Sequence, residues 1–249
     1  MPNPVPASRR RALLLLLLFA ALVVWALSSG RLIVAPRWNP WAALDLTESP
    51  GLLTGFKLKR ASADPEACRR ALAGSGFRLS AVPDRETGPG CGFQNAFRID
   101  RSTVDVGAPF TLSCPAALSL ALWERHALQQ AARLHLGAEV RAIEQLGSYA
   151  CRNLYGAEGR RRSQHATADA LDISGFVLSD GRRIRVLRDW RRTGAVGGSE
   201  DALPTPEARF LLALRDQACR WFDAVLGPDY NAGHADHFHF DRGRARICR

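Results

Sequence analysis

No two of the six cysteines stand in a CxxC spacing, which argues against a thioredoxin-like redox centre and against a thiolate zinc cluster of the usual kind. No acidic residue occurs in residues 1–11, where Arg9, Arg10 and Arg11 stand together, and no charged residue occurs in 12–30. There is no internal repeat, so a solenoid or propeller is excluded. What remains of the 249 residues suffices for one domain of ordinary size, an N-terminal segment and a linker. The formal charge of +10 favours polyanionic surroundings. Charge alone does not choose between nucleic acid, anionic lipid and a carboxylate-rich cell-wall polymer.

Location is the feature that chooses. Between Ala12 and Leu27 the only polar atom on a side chain is the indole nitrogen of Trp25. With Ser28, Ser29 and Gly30 the uncharged run approaches the roughly 20 residues that a membrane-crossing helix needs. The basic flank then predicts a cytoplasmic N-terminus. A cleaved signal peptide fits the same stretch, because its apolar core is shorter and small residues follow. Leu32, Ile33 and Val34 extend the apolar character and favour retention. The expectation is a single-pass bacterial inner-membrane protein with its C-terminal domain in the periplasm. Cys68, Cys91, Cys114, Cys151, Cys219 and Cys248 all follow this segment, as three disulfides in an oxidising compartment would. Proximity in sequence suggests Cys68 with Cys91, Cys114 with Cys151, and Cys219 with Cys248. A nucleic-acid partner is set aside on the same grounds of location.

The chain divides into a basic flank (1–11), a transmembrane helix or signal segment (12–30), a linker rich in Pro and Gly (31–60) and a folded domain (61–249). Asp64 as N-cap with Pro65 behind it opens a short helix that ends near Gly74 and Gly76. Residues 77–82 and 104–108 read as short strands, and 83–91 as a loop. Residues 113–134 form the clearest helix, with His126 and His135 as bystanders near its surface. Residues 139–146 alternate like a strand with one wet face. Residues 171–178 and 182–187 form a hairpin about Ser179-Asp180-Gly181, 193–206 a loop, 207–226 a second long helix and 236–241 a last strand. The fold class is α+β: a small antiparallel sheet packed with helices, stabilised by disulfides and preceded by one transmembrane helix.

Three histidines fall within six residues, His234, His237 and His239. On a strand His237 and His239 share one face while Phe238 and Phe240 point into a core. Two imidazoles side by side are natural where a metal is bound. A second cluster runs from Ser163 to Asp172, where the small residues Ala166, Ala168 and Ala170 let a loop bring His165 and Asp172 onto one ion. Two histidines, one carboxylate and a water form a recurrent catalytic zinc arrangement. Arg160, Arg161, Arg162, Arg182, Arg183, Arg185 and Arg188 could pair with substrate carboxylates, although a solvated basic face explains them equally. Ser163 and Gln164 read as local hydrogen-bonders, and Tyr149, Tyr155, Tyr230 and Asn231 as candidates for a cleft wall.

Ser163-x-His165-x6-Asp172 followed by His237-x-His239 resembles the signature of zinc peptidases of the lysostaphin, D-Ala-D-Ala carboxypeptidase and hedgehog fold group. His234-x-x-His237-x-His239 is similar to the pattern of the penicillin-insensitive murein endopeptidases. The stretches 151–156, 163–176 and 226–241 resemble the bacterial extensin-like C-terminal domain family, and the likeness covers roughly 61–249. The resemblance implies that His165, Asp172 and His239 hold Zn²⁺, that His237 is the catalytic histidine beside the attacking water, and that His234 is an accessory catalytic residue. Ala168 departs from the pattern by standing where the group usually has glycine. With a positive φ there, alanine is strained by roughly 1 kcal/mol.

The activity implied is a zinc-dependent endopeptidase or carboxypeptidase acting on peptidoglycan stem peptides or cross-links. A wall-binding or scaffolding module that keeps the metal is the alternative, and an amidase or esterase on another polymer is a narrower one. A metal site closed by a fourth protein ligand would favour the module.

Overall fold

The computed structural model describes residues 7–29, 31, 34–190 and 203–249. The chain forms two compact units, Met1–Ala42 and Ala43–Arg249. In the first, helix α1 spans Ala7–Ser28. Among the described residues no helix is long and apolar enough to cross a membrane. Arg9, Arg10 and Arg11 occupy the first turns of α1. The apolar remainder, from residue 12 to Ser28, extends only about 25 Å at ~1.5 Å per residue, short of the ~30 Å hydrocarbon layer. This corrects the expectation of a transmembrane helix at 12–30, and with it the placement as a single-pass inner-membrane protein with a periplasmic domain.

In the second unit, α2 (Thr54–Ala63) and α3 (Pro65–Ala73) precede strands β1 (Arg78–Val82), β2 (Arg85–Gly88), β3 (Cys91–Phe93), β4 (Ala96–Arg101) and β5 (Phe110–Ser113). Helix α4 (Cys114–Trp123) runs through a π turn at Glu124–Leu128 into α5 (Gln129–Leu136). Then come β6 (Val140–Gly147), β7 (Ala170–Leu178), β8 (Arg183–Arg185), α6 (Val186–Asp189), α7 (Pro206–Ala218), β9 (Ala224–Leu226), β10 (Phe238–Asp241) and β11 (Ile247–Cys248).

Several boundaries follow from local chemistry. The Asp64 side chain accepts from the backbone N–H groups of Glu66 and Ala67, capping α3 behind Pro65 as its pattern predicts. Gly137 closes α5 in the left-handed conformation. The stretch read as a linker is partly folded: Leu44, Leu46 and Leu58 are buried, and α2 begins at Thr54. The helix expected over 207–226 stops at Ala218, and Ala224–Leu226 is a strand. Residues 193–202 of the loop expected over 193–206 lie outside the described residues. Residues 83–91, read as a loop, carry most of the small β2–β3 hairpin.

The sheet that matters for function has the order β11-β9-β10-β7-β6, with β8 also paired to β7. The expectation of an antiparallel sheet needs correction, because β11 runs parallel to β9 and the sheet is mixed. After Asp241 the chain reverses direction within residues 242–246. Since β10 is already antiparallel to β9, a strand that returns past β9 must run parallel to it. A second sheet, β1-β4-β5, lies apart from it.

Behind the main sheet Phe238 and Phe240 are fully buried. Trp123 meets Phe240 edge-on at 5.3 Å, and Phe176 meets Phe210 at 5.3 Å. Each such aromatic contributes about 1.5–3 kcal/mol by burial. Together they fix one face of β10 inward and force the alternate residues outward.

Three disulfides brace the unit: Cys68–Cys114, Cys91–Cys151 and Cys219–Cys248. Only the last agrees with the pairing expected from sequence proximity. The first ties α3 to the start of α4, and the second ties β3 to the segment that precedes the site.

Candidate metal centre

Asp172 on β7 and His239 on β10 are direct partners across an antiparallel ladder, so their side chains leave the same face of the sheet. His239 Nδ1 lies 2.9 Å from Asp172 Oδ1. His165 comes from a 3₁₀ turn, Gln164–Thr167, whose N-cap Ser163 accepts from the His165 backbone N–H. That role makes Ser163 a structural hydroxyl. His165 Nε2 lies 3.1 Å from both His239 Nδ1 and Asp172 Oδ2.

Ala168 lets the turn close onto β7. Its φ is 56° and ψ 28°, in the left-handed region, so the strain foreseen for alanine at this position is present. Its methyl is fully buried beside Phe93 and Ala96, and its carbonyl accepts from the Ser113 N–H at 2.8 Å. Packing and hydrogen bonding hold the residue in a conformation that alanine alone disfavours by about 1–2 kcal/mol.

The three side chains form the one group of potential metal ligands found among the described residues, with all ligand atoms within 4.8 Å of one another. Four ligands about 2.0–2.1 Å from a tetrahedral zinc stand roughly 3.3 Å apart. Separations of 2.9–3.1 Å are close to that spacing. The donor set therefore fits such an ion, and three protein ligands leave a fourth position free, as catalytic sites require.

His239 Nε2 lies 3.0 Å from Asp241 Oδ2. A carboxylate only accepts, so this ring nitrogen carries a proton and Nδ1 is turned toward the cluster. Asp241 in turn accepts from the Gly243 N–H. Burial opposes charge on His239, but its hydrogen bonds to Asp172 and Asp241 outweigh it and push its pKa up to about 9. Burial also opposes charge on Asp172, and the hydrogen bonds of His165 and His239 reverse the balance, holding its carboxyl well below the usual range.

His237 stands one residue before β10, with its Nδ1 at 2.7 Å from Asp236 Oδ1 and its Nε2 at 3.8 Å from Asp172 Oδ1. Asp236 thus orients the ring so that Nε2 faces the cluster. His234 donates from Nδ1 to Asn231 Oδ1 at 2.8 Å. Burial, then the charges of His239 and His237, push its pKa down to about 4, so it is neutral at pH 7. Its ring lies 5.2 Å from that of His237.

These groups open into a cleft of about 200 Å³ walled by Tyr155, Arg161, Tyr230 and Arg244. Of the other cleft candidates, Tyr149 packs on Phe93 and Asn231 positions His234. The hairpin arginines are committed elsewhere: Arg182 to Asp180, Arg183 to Glu144, Arg188 to Asp189. Arg162 braces the carbonyl of Pro89. Arg152 and Arg244, which also border the cleft, were missed from sequence. The run Arg242-Gly243-Arg244-Ala245-Arg246 directly after the histidine strand was the available signal.

Fold and site together define an α+β domain with a His-Asp-His centre. Residues 66–249 match the family described as Extensin-like protein C-terminus, and the chain belongs to that family. No curated protein and no solved structure matches the chain.

Proposed function

We propose that this protein is a zinc-dependent peptidase acting on peptidoglycan peptides. The observation that carries the proposal is the triangle of His165 Nε2, Asp172 and His239 Nδ1 at 2.9–3.1 Å, open on the side where His237 and His234 line a cleft. Zinc held by these residues would lower the pKa of a water molecule and polarise the scissile carbonyl. The likeness of the His165, Asp172 and His239 motif to zinc peptidases supports the same reading.

The protein groups divide the remaining work. Asp236 holds His237 with Nε2 facing inward, where it takes a proton from the attacking water and delivers it to the leaving amine. The amide C–N bond breaks, the acyl carbon gains the water oxygen, and the amine departs with the transferred proton. His234, neutral and fixed by Asn231, presents a ring nitrogen to the polar atoms of the bound peptide. A cross-link amide such as D-Ala to diaminopimelate is the substrate class.

The test is zinc content together with muropeptide release from purified sacculi, comparing the parent with His237→Ala. About one zinc per chain and release by the parent alone support the peptidase. Zinc without release by either form would replace it with a wall-binding module, and absence of zinc would remove both.

A further inference from the structure

A second cleft, of about 660 Å³, adjoins the first and shares Gly243, Arg244 and Ile247 with it. Lys59 from α2, Arg220 from the turn after α7, and Arg244 and Arg246 from the segment before β11 line it, all four exposed. None of the four forms an ion pair with any described residue; Arg220 makes a long hydrogen bond, 3.4 Å, to Gln217 and lies over the Trp221 ring at 5.2 Å. The acidic group in this wall, Asp223, faces Arg242 at 3.3 Å and is attracted at longer range by Arg246 and Lys59 as well, so one carboxylate is shared among several cations. In the floor, Trp221 Nε1 and Arg242 Nε have no acceptor among the described residues.

Four cations without a carboxylate in contact converge from three parts of the chain and raise the local potential at a cost in mutual repulsion. On the β7–β8 hairpin, by contrast, the arginines pair with carboxylates. We infer that this cleft binds carboxylates of the same polymer whose peptide enters the metal centre, with Arg244 at the junction of the two. The identity of the polymer rests on the peptidase reading; the anion-binding cleft does not.

Two observations favour a carboxylate-bearing polymer over a nucleic acid. The aromatic residues of the cleft, Trp221 and Phe222, are buried and offer no face on which bases could stack. Three of the four cations are arginines, whose planar fork matches a carboxylate with two parallel hydrogen bonds. Continuity with the metal centre lets one chain occupy both clefts, so the two binding events share one loss of freedom.

The experiment is co-sedimentation of the full chain with purified sacculi, in chelator so that no bond is cut. The parent is compared with Arg220→Gln/Arg246→Gln and with the charge-keeping Arg220→Lys/Arg246→Lys. Sacculi whose carboxylates have been amidated and a thymidine oligonucleotide of equal charge are parallel probes. The expected result is at least a ten-fold loss of retention for the glutamine variant and for amidated sacculi, partial retention by the lysine variant, and weak oligonucleotide binding. Unchanged zinc content of the glutamine variant in the absence of chelator would show that its fold is intact.

Equal retention of parent and glutamine variant, indifference to amidation, or oligonucleotide binding as tight as that of sacculi would each overturn the inference. The two readings fail separately. Muropeptide release with retention indifferent to the arginines sinks the cleft alone. Arginine-dependent retention without release sinks the peptidase and leaves the cleft standing.

Discussion

His239 stands between two carboxylates, Asp172 on the neighbouring strand at 2.9 Å from Nδ1 and Asp241 two residues along its own strand at 3.0 Å from Nε2. Both distances follow from strand geometry, the first from cross-strand register and the second from the two-residue period. The pair polarises the imidazole along one axis, and the buried Asp241 end sets its tautomer. Asp241→Asn is therefore expected to weaken zinc binding by about 10–100-fold while leaving the three ligands in place. Competition against a chelating dye measures this. An affinity equal to that of the parent would mean that Asp241 merely caps the Gly243 turn.

If the site takes up zinc as proposed, the same pair is expected to make that uptake pH-dependent. With the pKa of His239 pushed up to about 9, the proton on Nδ1 must leave before that nitrogen can bind a cation. Below pH 9 the apparent affinity is expected to fall about ten-fold for each unit of acidification, and about one proton should appear in solution per zinc bound at pH 7. Calorimetry in buffers of differing ionisation enthalpy counts that proton. A count of zero would show that the carboxylates do not hold the histidine charged.

Much of this arrangement was legible in the sequence, and the reasons are local. Alternation of Phe238 and Phe240 with His237 and His239 is a period-two signal that needs no tertiary information, and the capping role of Asp64 before Pro65 is equally local. The parallel placement of β11, the Cys68–Cys114 and Cys91–Cys151 pairs, and the role of 43–60 in the folded unit depend on contacts between segments far apart in the chain. Cys68 and Cys91 are closer in sequence than Cys68 and Cys114, but packing of α3 against α4 decides the pairing. In α1 the composition was legible, and what misled was counting the uncharged run on past Ser28, where the helix ends.

Ala168 carries opposed effects that nearly cancel. Replacement by glycine removes left-handed strain of about 1–2 kcal/mol but also removes a buried methyl worth about 0.8 kcal/mol and adds freedom to the unfolded chain. Ala168→Gly is expected to change unfolding free energy by less than about 1 kcal/mol. Ala168→Val, β-branched in the same conformation and facing Phe93, should destabilise by more than about 2 kcal/mol. Urea titration of the two variants tests this, and equal effects of both would remove the strain argument.

Glu124 offers a stability test independent of the metal centre. It is buried at the start of the π turn, accepts hydrogen bonds from the Thr103 backbone N–H at 3.0 Å and from the Thr103 hydroxyl, and has its Oε1 without a partner among the described residues. Burial is the dominant influence, exceeding the opposing hydrogen bonds, and pushes its pKa up to about 7 from 4.5. Below pH 4.5 the group is protonated in both folded and unfolded chains and costs nothing through ionisation. As the pH rises from 4.5 to 7 the unfolded chain releases the proton while the folded chain retains it, so stability falls across that window and stays low above it. The full loss is about 3 kcal/mol. Glu124→Gln cannot ionise, so its stability relative to the parent should improve by that amount between pH 4.5 and pH 8. Paired urea unfolding curves at the two pH values measure the change. A difference between parent and variant that stays constant with pH would show that Glu124 is charged in the folded protein and that the Thr103 hydrogen bonds suffice to keep it so.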